Sequence, residues 1–255
     1  DEPTMATGTE YRFYFTAENE IGEGEPSSIA TFALGSLPSQ PNDPTIDRAK
    51  STLTSLFVKW DALTSQDLTV EGYRLYGSKS DSSTDFVLLY DGFNNPDTLS
   101  YNVTGLDTGS SYSFYVEAKN SNGIGERSNE ILGLVCLPPS GLDPPTKTST
   151  KTSITLTWKA PSSDGGCPIT TYKLYRNDGL SGPTTTQEGA VALDNKPYET
   201  SYTVSGLSNT GNVYLFKLAV HNEIGSTESE ETGTVLASVP DTPANAPSQD
   251  YATVG

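Results

Sequence analysis

Apolar and polar positions alternate along most of this 255-residue chain, and the alternating blocks recur. Leu56-x-Val58-x-Trp60 and Ile154-x-Leu156-x-Trp158 each end in a tryptophan, and the two tryptophans lie 98 residues apart. A tyrosine-rich run follows each block, Tyr73-Arg-Leu75-Tyr76 in one case and Tyr172-Lys-Leu174-Tyr175 in the other. Next come Tyr101-Asn-Val103 with Leu106, and Tyr202-Thr-Val204 with Leu207. A last block occurs three times, led by Tyr11, Tyr112 and Tyr214 and closed by Asn19, Asn120 and Asn222. Period two marks strands with one buried face, and no stretch carries helical spacing. Glycine, asparagine and proline clusters at Asn94-Asn95-Pro96, Asp164-Gly165-Gly166 and Gly179 to Pro183 supply the turns between blocks. Short strands in units of about 100 residues, with one tryptophan early in each, predict two-sheet sandwiches that enclose small separate cores.

These residues resemble tandem fibronectin type III modules. The likeness rests on the proline-bearing approaches (Pro38 and Pro41; Pro138 and Pro139), the tryptophans Trp60 and Trp158, and the tyrosines Tyr73 and Tyr172 of the third strand. It rests also on the leucine-to-tyrosine corner, Leu106 to Tyr112 and Leu207 to Tyr214, one residue longer in the second case. The resemblance implies an all-β chain of immunoglobulin-like sandwiches in an extended array. Residues 1–37 then form the C-terminal part (strands F and G) of one module. Residues 38–137 and 138–239 are two further modules, and 240–255 are a linker and the start of another. On this alignment the chain is expected to be a fragment of a longer array. It also makes Tyr11, Tyr112 and Tyr214 corner tyrosines, whose hydroxyls bond upstream backbone although the usual corner proline is missing. Trp60, Trp158, Tyr73 and Tyr172 become core residues.

Composition narrows the function. Fifteen Lys and Arg stand against 32 Asp and Glu, for a net charge of −17. That excludes a phosphate-backbone binder, which needs clustered cations, and docking on an anionic membrane. No apolar run is long enough to cross a bilayer. Ser and Thr make up about a quarter of the chain, and charged residues are 18%.

Reactive chemistry is sparse. His221 is the single histidine, and it alternates out of the register of Val220 and Asn222, so it reads as a surface residue. No phosphate loop or zinc-protease motif occurs. Asp81 and Asp85 read as solvated loop charges, since calcium needs several converging oxygens. No enzyme activity, cofactor or metal is expected. The fibronectin type III topology brings the linker approaching the last module beside its second loop. A bond between Cys136, at the exit of the middle module, and Cys167, in that loop, is therefore plausible; two unrelated thiols are the plainer alternative. A closed loop of that length is worth about 3–4 kcal/mol in the chain-entropy model.

A disulfide would place the protein in an oxidising compartment. The sequon Asn102-Val103-Thr104 agrees, with Asn102 pointing outward between inward Tyr101 and Val103. Outward parity also gathers Tyr76 and Tyr115 on one sheet, with Tyr175 and Tyr14 at matching positions. Such tyrosines either anchor a partner or pair across strands to stabilise an exposed face. The expectation is a non-catalytic structural or adhesive array, extracellular or on the cell surface, that binds protein partners or associates with itself in a filament or matrix. An intracellular filament or ciliary scaffold, a non-catalytic spacer of a secreted enzyme and a receptor ectodomain remain as alternatives.

Overall fold

A computed structural model of the chain describes residues 4–64, 66–79, 85–180, 182–188, 193 and 196–238. Asp81 and the expected further module at 240–255 lie outside the described residues. The chain divides into two compact units, residues 1–137 and 138–255.

The first unit opens with two short hairpins. β1 (Glu10–Phe13) pairs with β4 (Ala30–Ala33), and β2 (Glu18–Asn19) pairs with β3 (Gly22–Glu23). The sequence predicts one long strand from Tyr11 to Asn19, and here the structure differs. The regular ladder of β1 with β4 ends at Phe13, and beyond it only single bonds continue, Ser27 N–H to the Phe15 carbonyl at 2.9 Å and Gly24 N–H to the Ala17 carbonyl at 2.8 Å. Phe15 and Ile21 are 76% and 94% exposed.

A sandwich follows. One sheet joins β5 (Thr45–Ile46), β6 (Ser55–Lys59) and β9 (Ser100–Thr104). The other joins β7 (Gly72–Lys79), β8 (Val87–Asp91), β10 (Ser111–Asn120), β11 (Gly123–Ile124) and β12 (Ile131–Leu134). The second unit repeats the plan. β13 (Thr146–Ser149), β14 (Ser153–Thr157) and β17 (Ser201–Ser205) make the smaller sheet. β15 (Thr171–Arg176), β16 (Thr186–Glu188), β18 (Val213–His221), β19 (Ser226–Glu228) and β20 (Thr232–Val235) make the larger. All the pairings are antiparallel, as hairpin-linked strands with one wet face require.

Each sandwich has its own core. Leu56, Val58, Trp60, Tyr73, Leu75, Phe114 and Val116 fill the first; Ile154, Leu156, Trp158, Tyr172, Leu174, Phe216 and Leu218 fill the second. Each buried side chain of this size contributes about 1.5–3 kcal/mol. Trp60 lies against Tyr73 with ring centroids 6.3 Å apart, and Trp158 against Tyr172 at 5.6 Å. Gly72 opens β7 at φ 151°, where a Cβ would fall 2.0 Å from the Gly92 carbonyl oxygen. Only glycine fits there.

The corner tyrosines behave alike. The Tyr11, Tyr112 and Tyr214 hydroxyls accept hydrogen bonds from the backbone N–H of Ala6 (2.7 Å), Asp107 (3.1 Å) and Asn209 (3.4 Å). Each bond spans five residues, so the missing proline is dispensable. Asn102 is exposed. Tyr101, expected inward, is 36% exposed. β9 has β6 as its one bonded neighbour among the described residues, and Tyr101 sits at the sandwich rim, stacked 5.1 Å from Tyr90. Parity aims Tyr101 inward, opposite Val58, and its ring meets Tyr90 of the facing sheet while part of it stays open to solvent.

Removing the corner hydroxyl returns the exposed Asp107 N–H to solvent and forfeits the net worth of one hydrogen bond, so Tyr112→Phe is expected to lower unfolding free energy by about 1 kcal/mol. The looser Tyr214 bond predicts a smaller loss for Tyr214→Phe. Urea unfolding followed by tryptophan fluorescence checks both, with an unchanged slope as the sign of an intact fold; equal losses would contradict the ordering by distance.

Candidate interaction face

β7 and β10 pair over eight positions, with Tyr76 opposite Tyr115 and Arg74 opposite Glu117. Because side chains alternate across a strand, Tyr73, Leu75, Phe114 and Val116 go inward and their neighbours face out. The outward residues form a linked patch. Tyr76 and Tyr115 stack with centroids 4.9 Å apart at 13°. Phe86 tilts onto Tyr115 at 4.8 Å, and the Arg127 guanidinium lies 4.6 Å above the same ring. Arg127 also pairs with Glu130 at 3.3 Å.

The Tyr76 hydroxyl donates to Glu117 Oε1 at 3.0 Å. Burial, and then that carboxylate, push the Tyr76 phenol above its ordinary value, so it remains a neutral donor. One row along, Arg74 bonds Asp91 at 3.0 Å and covers the Phe93 ring at 4.0 Å. The pairing with Asp91 raises Arg74 and lowers Asp91 from their ordinary values. Lys119 reaches Glu71 at 2.8 Å and the other contact of Phe93 at 5.4 Å. Cation–π contacts at such sites are worth about 0.5–1 kcal/mol each.

The second sandwich lacks the stack. Tyr175 stands opposite Lys217, which is drawn instead to Glu228 at 3.0 Å. Tyr14, past the end of β1, is 64% exposed. The matching positions therefore share a parity and not a patch. Phe86, Phe93 and Arg127 escaped the sequence reading, because they arrive from outside β7 and β10 and no periodicity marks them.

A second cluster in the first unit grips the segment that leads into the sandwich. Asn122, in the turn after β10, donates through Nδ2 to the Ala33 and Gly35 carbonyls, both at 2.8 Å. Its Oδ1 accepts from Ala33 N–H at 3.1 Å. Asn120 Nδ2 donates to the Ser36 carbonyl at 2.8 Å. The Ser36 hydroxyl donates to Asp67 at 2.8 Å, and Ser39 N–H to Gln66 at 2.9 Å. The turn itself needs Gly123 at φ 139°. In the second unit the residue aligned with Asn122 is Ile224, and Asn222 donates to the Asp164 carbonyl at 2.8 Å.

Cys136 and Cys167 are both disulfide-bonded, with 0% and 4% of their surface exposed; they are the only two cysteines of the chain. His221 is half-buried rather than a free surface residue, because β15 and β19 flank it on both sides. Its Nε2 is buried without a hydrogen-bond partner. Burial, then the Lys173 charge, hold it below the usual histidine value, with Glu228 opposing. Among the described residues no group of three or more His, Cys, Asp or Glu could hold a metal ion.

The sequence profile described as Fibronectin type III domain matches residues 39–133 and 138–235. The chain is 29% identical over 239 residues to M-protein, striated muscle, of Gallus gallus, covering 87% of this chain and 15% of that protein. It is 27% identical over 259 residues to Tyrosine-protein phosphatase Lar of Drosophila melanogaster, covering 94% and 12%. It is 25% identical over 255 residues to Exoglucanase B of Cellulomonas fimi, covering 90% and 21%. The chain thus spans less than a quarter of the length of each.

Asn122→Ala removes three hydrogen bonds from the leading segment without touching the core. Limited proteolysis with mass spectrometry is expected to show several-fold faster cutting within residues 33–39, and cutting at the wild-type rate would show that other contacts hold the segment. His221 gives a pH signature. Its folded value lies below the unfolded 6.5, so near pH 6 the unfolded chain binds more protons. Stability should rise with pH through the range just below 6.5 and level off above about 7.5. In His221→Gln the rise across that window should flatten, as measured by unfolding at fixed ionic strength.

Proposed function

The chain belongs to the fibronectin type III family, and from that premise we propose that it is an extracellular or cell-surface array that spaces and presents protein-binding surfaces. Its two matched modules are non-catalytic. The observation that carries the reading is the disulfide bonding of Cys136 and Cys167. Such bonds persist in oxidising compartments and are rare in the cytosol, where thiols are kept reduced.

The partner is a protein, and the β7–β10 patch is its seat. Tyrosine and arginine are enriched among the residues that dominate interface energetics, tyrosine because it buries much area per ordered torsion and arginine because its planar guanidinium stacks on rings and forks onto acceptors. Here Tyr76, Tyr115, Phe86 and Arg127 lie together on one outward face. The acidic balance of the chain, −17 overall, favours solubility and mutual repulsion between copies. It therefore supports a spacer more than a self-associating filament.

A filament scaffold inside cells is the second reading, and the similarity to M-protein of striated muscle favours it. The two readings differ in one measurable property. Alkylation of the unfolded native protein, without reductant, should modify neither cysteine if the protein works outside the cell. Two alkylated cysteines would overturn that location and favour the filament.

A further inference from the structure

We propose that Asn102 carries an N-linked glycan whose first sugar packs beside Phe57. The proposal rests on the extracellular reading above, since the modification is made in the secretory pathway. Asn102-Val103-Thr104 satisfies the acceptor pattern, with no proline between. The fold turns that pattern into an accessible site. Val103 is buried, with 4% of its surface exposed, and it anchors β9, while Asn102 and Thr104 on either side are exposed. β9 is the last strand of its sheet among the described residues, so a bulky group on its outward side meets no further strand there.

The neighbours on that face suit a sugar. Register places Asn102 opposite Phe57, Thr104 opposite Ser55 and Ser100 opposite Lys59. Asp47 flanks Phe57 on the other side, its N–H donating to the Phe57 carbonyl at 2.8 Å, and its carboxylate is taken up by Lys59 at 3.5 Å. Directly opposed residues bring their Cβ atoms to about 4.5–5.5 Å, so a sugar on Asn102 reaches the Phe57 ring. Phe57 is half-buried, and the Lys50 ammonium lies 4.7 Å from its centroid. The matched pair in the second sandwich is Thr155 and Thr203, whose hydroxyls bond each other at 2.9 Å. An aromatic ring beside a free amide is thus particular to the first sandwich and is not a requirement of the sheet.

The chemistry is a redox-neutral group transfer. An oligosaccharide joined to a lipid diphosphate is the donor. The bond from sugar C1 to the phosphate oxygen breaks, Asn102 Nδ2 forms the new bond to C1, Nδ2 gives up one proton, and the lipid diphosphate leaves. The covered face is that of the β5–β6–β9 sheet, opposite to the aromatic patch on β7 and β10. A glycan there would direct partners to the other face.

The test is secretion of the whole chain from cultured eukaryotic cells, with intact mass measured before and after peptide N-glycosidase. The expected result is an enzyme-sensitive added mass, with Asn102 converted to Asp on release. Thr104→Ser should keep it; Asn102→Gln and Thr104→Val should each lose it. The glycosylated form should melt about 2–4 °C above the released form, and that difference should vanish in Phe57→Ala. A secreted chain without enzyme-sensitive mass would overturn the site, even where native Cys136 and Cys167 resist alkylation. Alkylated native cysteines would instead overturn the location on which the proposal rests. A melting difference that persists in Phe57→Ala would overturn the packing on Phe57.

Discussion

The register between β7 and β10, and between β15 and β18, decides almost everything else in this molecule. In each pair one residue of slip would exchange the buried set for the exposed one, because side chains alternate with a period of two. In the first sandwich that exchange would send Arg74, Glu117 and Lys119 into the core and expose Leu75, Phe114 and Val116. Burying those charges would cost far more than any pairing could return. The corner tyrosine fixes the start of the strand, since Tyr112 holds the Asp107 N–H just ahead of β10. Gly72 fixes the start of its partner by letting the Gly92 backbone approach closely. Pattern, corner and glycine agree on one register.

The two sandwiches share their insides and differ outside. Tyr73 and Tyr172, Trp60 and Trp158, Phe114 and Phe216 occupy matching buried positions. On the wet faces the correspondence fails: Tyr76 meets Tyr115 where Tyr175 meets Lys217, and Phe57 meets Asn102 where Thr155 meets Thr203. Asn122, which grips the leading segment in the first unit, aligns with Ile224 in the second. A core tolerates little change at fixed volume, while an exposed position is bounded only by solubility. The differences between the two modules therefore lie on the faces and in the turns.

That division also explains what was legible in the sequence. The strands of both sandwiches and their cores follow from period-two blocks, since burial imposes the pattern directly. Parity alone brings Tyr76 beside Tyr115. It gives Tyr101 its direction but not its exposure, because parity says nothing of how much of a large ring the facing sheet covers. It overextends the strand at Tyr11, because pairing lengthens a strand as much as propensity does. Phe86 and Arg127 join the aromatic patch through loops, and Asn122 finds its partners nearly ninety residues upstream; such contacts belong to the fold and leave no local trace. That Cys136 and Cys167 are disulfide-bonded has no local pattern behind it, and its expectation comes only from the family topology.

The aromatic patch has one more property that follows from its geometry. Its cations are not free charges: Arg74 is held by Asp91 and Phe93, Lys119 by Glu71, and Arg127 by Glu130 and Tyr115. Its rings are equally constrained, since Tyr76 and Tyr115 stack on each other and Tyr76 is tied to Glu117. Long side chains lose about 0.5–1.5 kcal/mol each when an interface immobilises them. A face already ordered by its own contacts has met much of that cost during folding. It also shows a partner a ring surface more than a net charge, within a strongly acidic chain. Under the proposed function, recognition by such a face would depend on shape and aromatic area, and its affinity would respond weakly to salt.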